Sequence, residues 1–189
     1  MKARAEKKPQ DAREKNFIAD TQRGFVGSWS GYERDRMWLN PDGGVPRFFD
    51  AAYVLGLDLD DDGRAALPVD VDGDGDLDLA LLSLQGLHLF ENTSPRRHFA
   101  RLRLTATSGH PLALGAQARL TAGGTAQRDY VRLADGFLSH VPLDLHFGLG
   151  TADRIDEIEV LWPSGHRQTW KNLPADRLLL LTEKQETPE

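Results

Sequence analysis

The chain has 189 residues, enough for one domain or two small ones with a buried core. It contains no cysteine, which excludes disulfides, thiolate zinc sites and cysteine nucleophiles. The formal net charge is −6, but residues 50–78 hold ten aspartates and one arginine, so the acid is concentrated there. This acidic field argues against a nucleic-acid partner, and no apolar run is long enough to predict a membrane span.

Residues 1–22 are charged and show no apolar periodicity, so we expect a flexible lead-in, and residues 185–189 are expected to form a short tail. The first residues also lack the apolar core of a signal peptide. Between 23 and 95, apolar runs alternate with glycine and proline turns. The run Trp38-Leu39-Asn40 parallels the later run Leu87-His88-Leu89-Phe90-Glu91-Asn92. This parallel predicts two copies of a strand, turn, strand unit.

The second copy begins with the aspartate loop, residues 70–78, in which five aspartates stand at every second position: Asp70, Asp72, Asp74, Asp76 and Asp78. Four carboxylates and the backbone carbonyl of Asp76 can converge on one cation if the chain loops tightly, and Ca²⁺ prefers such oxygen ligands. Gly73 and Gly75 allow the positive φ angles that the loop needs. An EF-hand is excluded because its twelfth position is Leu81. The loop predicts a calcium site, and the alternative is a solvated acidic turn without an ion.

A second acidic turn contains Asp58, Asp60 and Asp62 but lacks the glycines that close a loop around an ion. Two interpretations stay open for it. It is either a solvated turn that forms salt bridges, or a second and weaker cation site.

Residues 96–184 show the alternation of half-buried strands. The inward-facing residues are predicted to be Ala100, Leu102, Leu104 and Ala106, then Ala116, Ala118, Leu120 and Ala122, then Val131 and Leu133, then Leu143, Leu145, Phe147 and Leu149, then Ile158, Val160 and Trp162. A strand through Trp170 and an apolar strand from Leu178 to Leu181 complete seven short strands. Their spacing predicts an antiparallel β-sandwich, and the whole chain is predicted to be all-β.

The aspartate loop, followed by Leu79-Ala80-Leu81-Leu82 and then Leu89-Phe90-Glu91-Asn92, resembles an FG-GAP or VCBS repeat, the propeller-blade unit that binds Ca²⁺. The stretch from Phe99 resembles the ASPIC and UnbV domain through Gly136-Phe137-Leu138-Ser139, Leu145-His146-Phe147-Gly148-Leu149-Gly150 and Val160-Leu161-Trp162-Pro163-Ser164-Gly165. Together they resemble the end of the cartilage acidic protein family and its bacterial relatives. The resemblance implies that all five loop aspartates are Ca²⁺ ligands. It also implies truncated repeats at 23–95 packed on a sandwich at 96–184.

The family resemblance implies a secreted or periplasmic protein, although the missing signal peptide leaves a cytoplasmic location open. Two repeats are too few to close a propeller, which leaves an open sheet edge. Either these units pack directly on the sandwich, or a partner chain covers the edge, and an oligomer is one such arrangement. Trp29, Tyr32 and Trp170 are candidate partner contacts, since aromatic residues are enriched at interfaces.

Catalysis has little support in the sequence. Ser139, His140 and Asp144 are the residue types of a hydrolytic triad, but triads are assembled by the fold and not by sequence spacing. His88 near the aspartate loop leaves a transition-metal site open. The favoured function is a calcium-stabilised module, without catalytic activity, that binds a protein or glycan. The alternative is a metal-dependent enzyme or an accessory subunit of a biosynthetic or redox complex.

Overall fold

The computed structural model describes residues 33–40, 47–136 and 139–184. The predicted lead-in, the C-terminal tail, Trp29 and Tyr32 lie outside these ranges. The elements in chain order are β1 (Trp38–Leu39), β2 (Phe49–Asp50), α1 (Ala52–Leu55), β3 (Gly63–Val69), β4 (Asp78–Ser83), β5 (Leu87–Phe90), β6 (His98–Thr105), β7 (Gln117–Ala122), β8 (Thr125–Tyr130), β9 (Leu145–Gly150), β10 (Arg154–Leu161), β11 (Arg167–Pro174) and β12 (Arg177–Thr182). The predicted all-β class is confirmed.

The described residues fall into two compact units, and the first comprises those up to Arg64 together with Ser83–Gly86. In it, β1 and β2 pair antiparallel over two residues each. The apolar run after Phe49 turns into α1, one helical turn that ends at Gly56 with φ of 70°. Glycine reaches this left-handed conformation without the steric cost that a Cβ would add.

The second unit contains Ala65–Leu82 and the residues from Leu87 onward. Strands β4 and β5 form an antiparallel hairpin, and β3 lies on the other side of β4. Strand β3 is missing from the sequence prediction, because its Pro68 and its weak alternation are not typical of a strand. The aspartate loop connects β3 to β4 and therefore lies in the same unit as the C-terminal strands.

All seven strands predicted after residue 96 are present, as β6 to β12. They form a four-stranded sheet in the order β11-β10-β7-β8 and a three-stranded sheet in the order β12-β6-β9. The inner faces of both sheets contribute to one hydrophobic core, in which Leu102, Leu120 and Ile158 are fully buried. Because side chains alternate between the two faces of a strand, the inward residues predicted for β6, β7, β9 and β10 pack in this core.

Three details of the prediction were wrong. Strand β12 runs parallel to β6, so the sandwich is not purely antiparallel. Leu133 is 44% exposed, since β8 ends at Tyr130 and the chain leaves the sheet after the buried Val131. Trp170 is 5% exposed and packs in the core, so it is not available as a partner contact.

Glu183 is a buried carboxylate that joins two separate segments to the end of β12. It accepts hydrogen bonds from the backbone N–H groups of Thr107 and Ser108, at 2.8 and 2.9 Å, and from the hydroxyls of Thr107 and Ser164. Ser164 lies in the predicted turn between β10 and β11. These donors, the Ser164 hydroxyl first among them, outweigh burial and lower the pKa of Glu183 from 4.5 to about 2.

No helix in the described ranges has the length and apolar character needed to cross a bilayer.

We predict that Glu183→Gln lowers the melting temperature at pH 7, because the amide presents a donor to groups that already donate. The native pKa lies below the unfolded one, so the wild-type advantage is complete above pH 4.5 and declines as the pH falls towards 2. Thermal unfolding of both proteins across this pH range measures the effect. Glu157→Gln, which removes half of a surface pair with Lys171, is the matched control. An equal response of the two variants to pH would contradict the assignment.

Candidate metal site

The aspartate loop closes on itself through aspartate side chains that accept hydrogen bonds from backbone N–H groups further along the chain. The N–H groups of Gly73, Asp74 and Asp76 donate to the aspartates two or three residues before them, at 2.7, 3.0 and 3.0 Å. Gly73 and Gly75 have φ angles of 81° and 98°, as the sequence pattern predicts. The loop is therefore tightly bent by its own backbone and side-chain hydrogen bonds.

Three of the five carboxylates converge. One oxygen from each of Asp70, Asp72 and Asp78 lies within 4.8 Å of the others, a spacing that one cation could bridge. Asp74 and Asp76 are not part of this group. The donors are all carboxylate oxygens, a set that suits Ca²⁺ better than a metal that prefers nitrogen or sulfur.

The loop contains one carboxylate whose oxygens both accept hydrogen bonds and one that has a buried oxygen without a partner among the described residues. Asp78 accepts hydrogen bonds from the N–H groups of Asn92 and Val71, at 2.8 and 2.9 Å, and these lower its pKa. In contrast, Oδ1 of Asp76 is buried and has no hydrogen-bond partner among the described residues. Burial, followed by repulsion from the other four loop aspartates, raises the pKa of Asp76. This unpaired oxygen is the part of the loop that a cation would suit best.

The loop is seated on the outer face of the three-stranded sheet. A Cβ on Gly75 would lie 2.0 Å from the Phe99 ring, so only glycine fits there. The ring of His146 stacks parallel to that of Phe99 at 5.9 Å, and its Nε2 is 2.9 Å from the Gly75 carbonyl oxygen. Arg96 donates to the Asp74 carbonyl at 2.7 Å. These contacts fix the loop on strands β6 and β9.

An arginine network extends from the loop along the same sheet face. Arg101 donates to Asp70 at 3.3 Å and to Asp144 at 3.1 Å. Arg103 forms two further hydrogen bonds with Asp144, at 2.6 and 2.9 Å. The Asp144 side chain is 9% exposed, and a buried carboxylate needs such partners. The network borders a cavity of about 720 Å³ that is also lined by Leu77 and His146.

The second acidic turn does not gather its carboxylates in the same way. Within the described ranges, the aspartate loop supplies the one group of three or more acidic or histidine side chains close enough to share an ion. Asp58 pairs with Arg34 at 2.8 Å, Asp62 is buried and pairs with Arg64, and Asp60 is exposed. The geometry matches the interpretation of a turn held by salt bridges.

No catalytic arrangement is visible among the described residues. The Ser139 hydroxyl donates to the Asp135 carbonyl at 2.7 Å, and Asp144 is engaged by two arginines. The predicted triad types are therefore not connected to each other. The ring of His88 stacks with Phe90 at 6.3 Å, and His88 is not in the carboxylate group.

The residues that seat the loop were not identified as site residues from the sequence. Phe99, Arg101 and His146 lie on the outward face of β6 and β9, and Arg101 is directly opposite His146. The alternation assigns Arg101 and His146 to that face, but not to the loop. One sequence feature pointed towards basic partners such as Arg101. The aspartates between residues 50 and 78 give a large local negative charge, and such a charge favours basic side chains nearby.

We predict that Gly75→Ala destabilises the protein more than Gly73→Ala. Both glycines have positive φ, so both substitutions strain the backbone. Only at Gly75 does the new methyl meet the Phe99 ring, whereas Gly73 has open space. We expect an additional loss of about 1–3 kcal/mol for Gly75→Ala from this overpacking. Urea unfolding of the two variants measures it, and equal losses would contradict the seating of the loop on Phe99.

Comparison with known proteins bears on the second half of the chain. A search of curated proteins finds no match. The family model described as ASPIC and UnbV matches residues 106–188, which include strands β7 to β12. This part of the chain is therefore similar to the ASPIC and UnbV family, as the sequence motifs predicted.

Proposed function

We propose that the protein is a calcium-binding interaction module in which the ion stabilises the aspartate loop on the sandwich. The observation that carries this proposal is the convergence of Asp70, Asp72 and Asp78. The buried Oδ1 of Asp76, in the same loop, has no hydrogen-bond partner among the described residues and supports it. The sequence resemblance of residues 70–92 to an FG-GAP or VCBS repeat supports the same ligand. It also supports secretion or export to the periplasm.

The energetic reason is charge repulsion within the loop. Five carboxylates in nine residues oppose a compact conformation, and burial, followed by repulsion from the other four aspartates, raises the pKa of Asp76. Arg101 offsets part of the charge at Asp70 only. A bound divalent cation would offset two of the remaining negative charges. Asp70, Asp72 and Asp78 would hold it, with Asp76 nearby.

The structural consequence concerns the hairpin that follows the loop. Asp78 is the first residue of β4 and binds Asn92, just beyond the end of β5, so it joins the two ends of the hairpin. Gly75 and His146 join the same loop to the sandwich. Stabilising the loop therefore stabilises both the hairpin and its position on β6 and β9.

The hairpin offers a surface for a protein partner. Leu82, Leu87 and Leu89 lie on one face of β4 and β5 and are 47%, 61% and 56% exposed. Strand β5 is also an edge of its sheet. Exposed apolar side chains beside an unpaired edge are typical of a surface that another protein covers. We infer that the ion holds this surface in shape for its partner.

We predict that Ca²⁺ raises the melting temperature and that EDTA reverses the rise. Free Ca²⁺ at about 100 times the dissociation constant adds about 2.7 kcal/mol, which is about 5–10 °C for a chain of this size. Asp72→Asn should abolish most of the rise, whereas Asp60→Asn in the second acidic turn should preserve it. Calorimetry of the three proteins is the measurement. A melting temperature indifferent to Ca²⁺ in the wild type would disprove the proposal.

We predict opposite effects of Asp76→Asn without and with calcium. The raised native pKa means that ionised Asp76 destabilises the fold, increasingly as the pH rises through that pKa. Removing its charge should therefore raise the melting temperature at pH 7 in EDTA. The same change should weaken calcium binding, because less negative charge attracts the ion. Calorimetry in EDTA and a calcium titration measure the two effects, and a lower melting temperature in EDTA would contradict the repulsion argument.

A further inference from the structure

The outer face of the four-stranded sheet carries an arrangement of arginines that is unfavourable on its own. Arg119 of β7 and Arg128 of β8 are direct partners across the antiparallel pair. Like charges directly opposite each other destabilise a sheet. No side-chain hydrogen bond or ion pair joins either guanidinium to another described residue. Two guanidinium groups without a direct ion pair to a described residue therefore stand side by side on this face.

The acidic side chains on the same face already form ion pairs with other basic side chains. Glu159 of β10 lies opposite Arg119, but its carboxylate pairs with Arg167 at 2.7 Å. Glu157 pairs with Lys171 at 3.1 Å. The face therefore has a net positive charge although the whole chain carries −6. Such a local reversal of sign favours an anionic ligand.

The shape and remaining side chains of this face indicate the kind of anion. The arginines line a concavity of about 690 Å³ together with Gln117 and Tyr130. The acidic residues that also line it, Asp129 and Glu159, are paired with Arg132 and Arg167. Tyr130 is 52% exposed, and Arg132 lies 5.1 Å from the centre of its ring. An exposed aromatic ring can pack against the apolar face of a sugar, and an amide can bind hydroxyl groups. We call Gln117, Arg119, Arg128, Tyr130 and Arg167 the arginine face.

We propose that the arginine face binds a carbohydrate chain that carries carboxylate or sulfate groups. Arg119 and Arg128 would each donate charge-assisted hydrogen bonds to an acidic group of the sugar, while Tyr130 packs on the ring. The exposed Tyr130 ring and the Gln117 amide favour a sugar with acidic groups over a simple polyanion, because they offer packing and hydrogen bonds in addition to charge. The inference goes beyond the proposed calcium function and does not depend on it, since no residue of the aspartate loop lines this face.

The test is calorimetric titration of the full chain in EDTA, with oligogalacturonate as the carboxylate probe and heparin-derived oligosaccharides as the sulfate probe. We expect at least one to bind. Methyl-esterified oligogalacturonate, which lacks the charge, should not. In the variant Arg119→Gln/Arg128→Gln the affinity should fall at least about tenfold, the effect of losing one charge-assisted hydrogen bond. Lys171→Gln is the matched control, because Lys171 shares the face but is already paired.

Four results would overturn the proposal: binding of neither charged sugar, equal binding of the esterified sugar, unchanged affinity in the double variant, or tighter binding of polyglutamate or oligothymidylate. A calcium-insensitive protein that still binds the sugar would disprove only the calcium function.

A second variant tests the same arginine pair through stability. Arg128→Glu places opposite charges across the β7–β8 pair, so the melting temperature should rise while binding of the sugar is lost. A melting temperature below that of the wild type would show that the arginine pair is compensated, which contradicts the proposal.

Discussion

The close contact between Gly75 and the Phe99 ring determines where the aspartate loop can lie. The ring occupies the space of a side chain, so the backbone passes directly over the outer face of β6. His146 then binds the Gly75 carbonyl and Arg96 the Asp74 carbonyl, which satisfies two polar groups at this crossing. Protein contacts therefore hold the loop at this point, on the same sheet face as Arg101, which pairs with Asp70.

Two carboxylates of the loop, Asp78 and Asp76, have pKa values that are shifted in opposite directions. Asp78 accepts two backbone hydrogen bonds, and its pKa is lowered. Asp76 has an unpaired buried oxygen and four acidic neighbours, and its pKa is raised. The hydrogen bonds of Asp78 stabilise the start of β4, whereas the burial and the charge of Asp76 oppose the folded loop. A stabilising and a destabilising carboxylate thus lie two residues apart in one short segment.

The sequence predicted the strands with a clear alternation and the bend of the loop, because both depend on neighbouring residues. It could not predict the parallel pairing of β12 with β6, since a wholly apolar strand shows no preference for one face or one partner. Leu133 follows the end of β8, and alternation alone does not mark where a strand leaves its sheet. The seating of Gly75 on Phe99 and His146 is a contact between distant segments, which no local pattern contains.

The two sheets of the sandwich carry arginines on their outer faces, yet with different consequences. On the three-stranded sheet, Arg101 and Arg103 both form ion pairs with the buried carboxylate of Asp144. An acidic group of the same chain therefore compensates part of their charge. On the four-stranded sheet, Arg119 and Arg128 are direct partners across the β7–β8 pair, and Glu159, which lies opposite Arg119, pairs with Arg167. The Arg119–Arg128 pair itself does not stabilise the sheet, because like charges repel. Its presence on an acidic chain is best explained by an anion that comes from outside, and the same argument does not apply to the first arrangement.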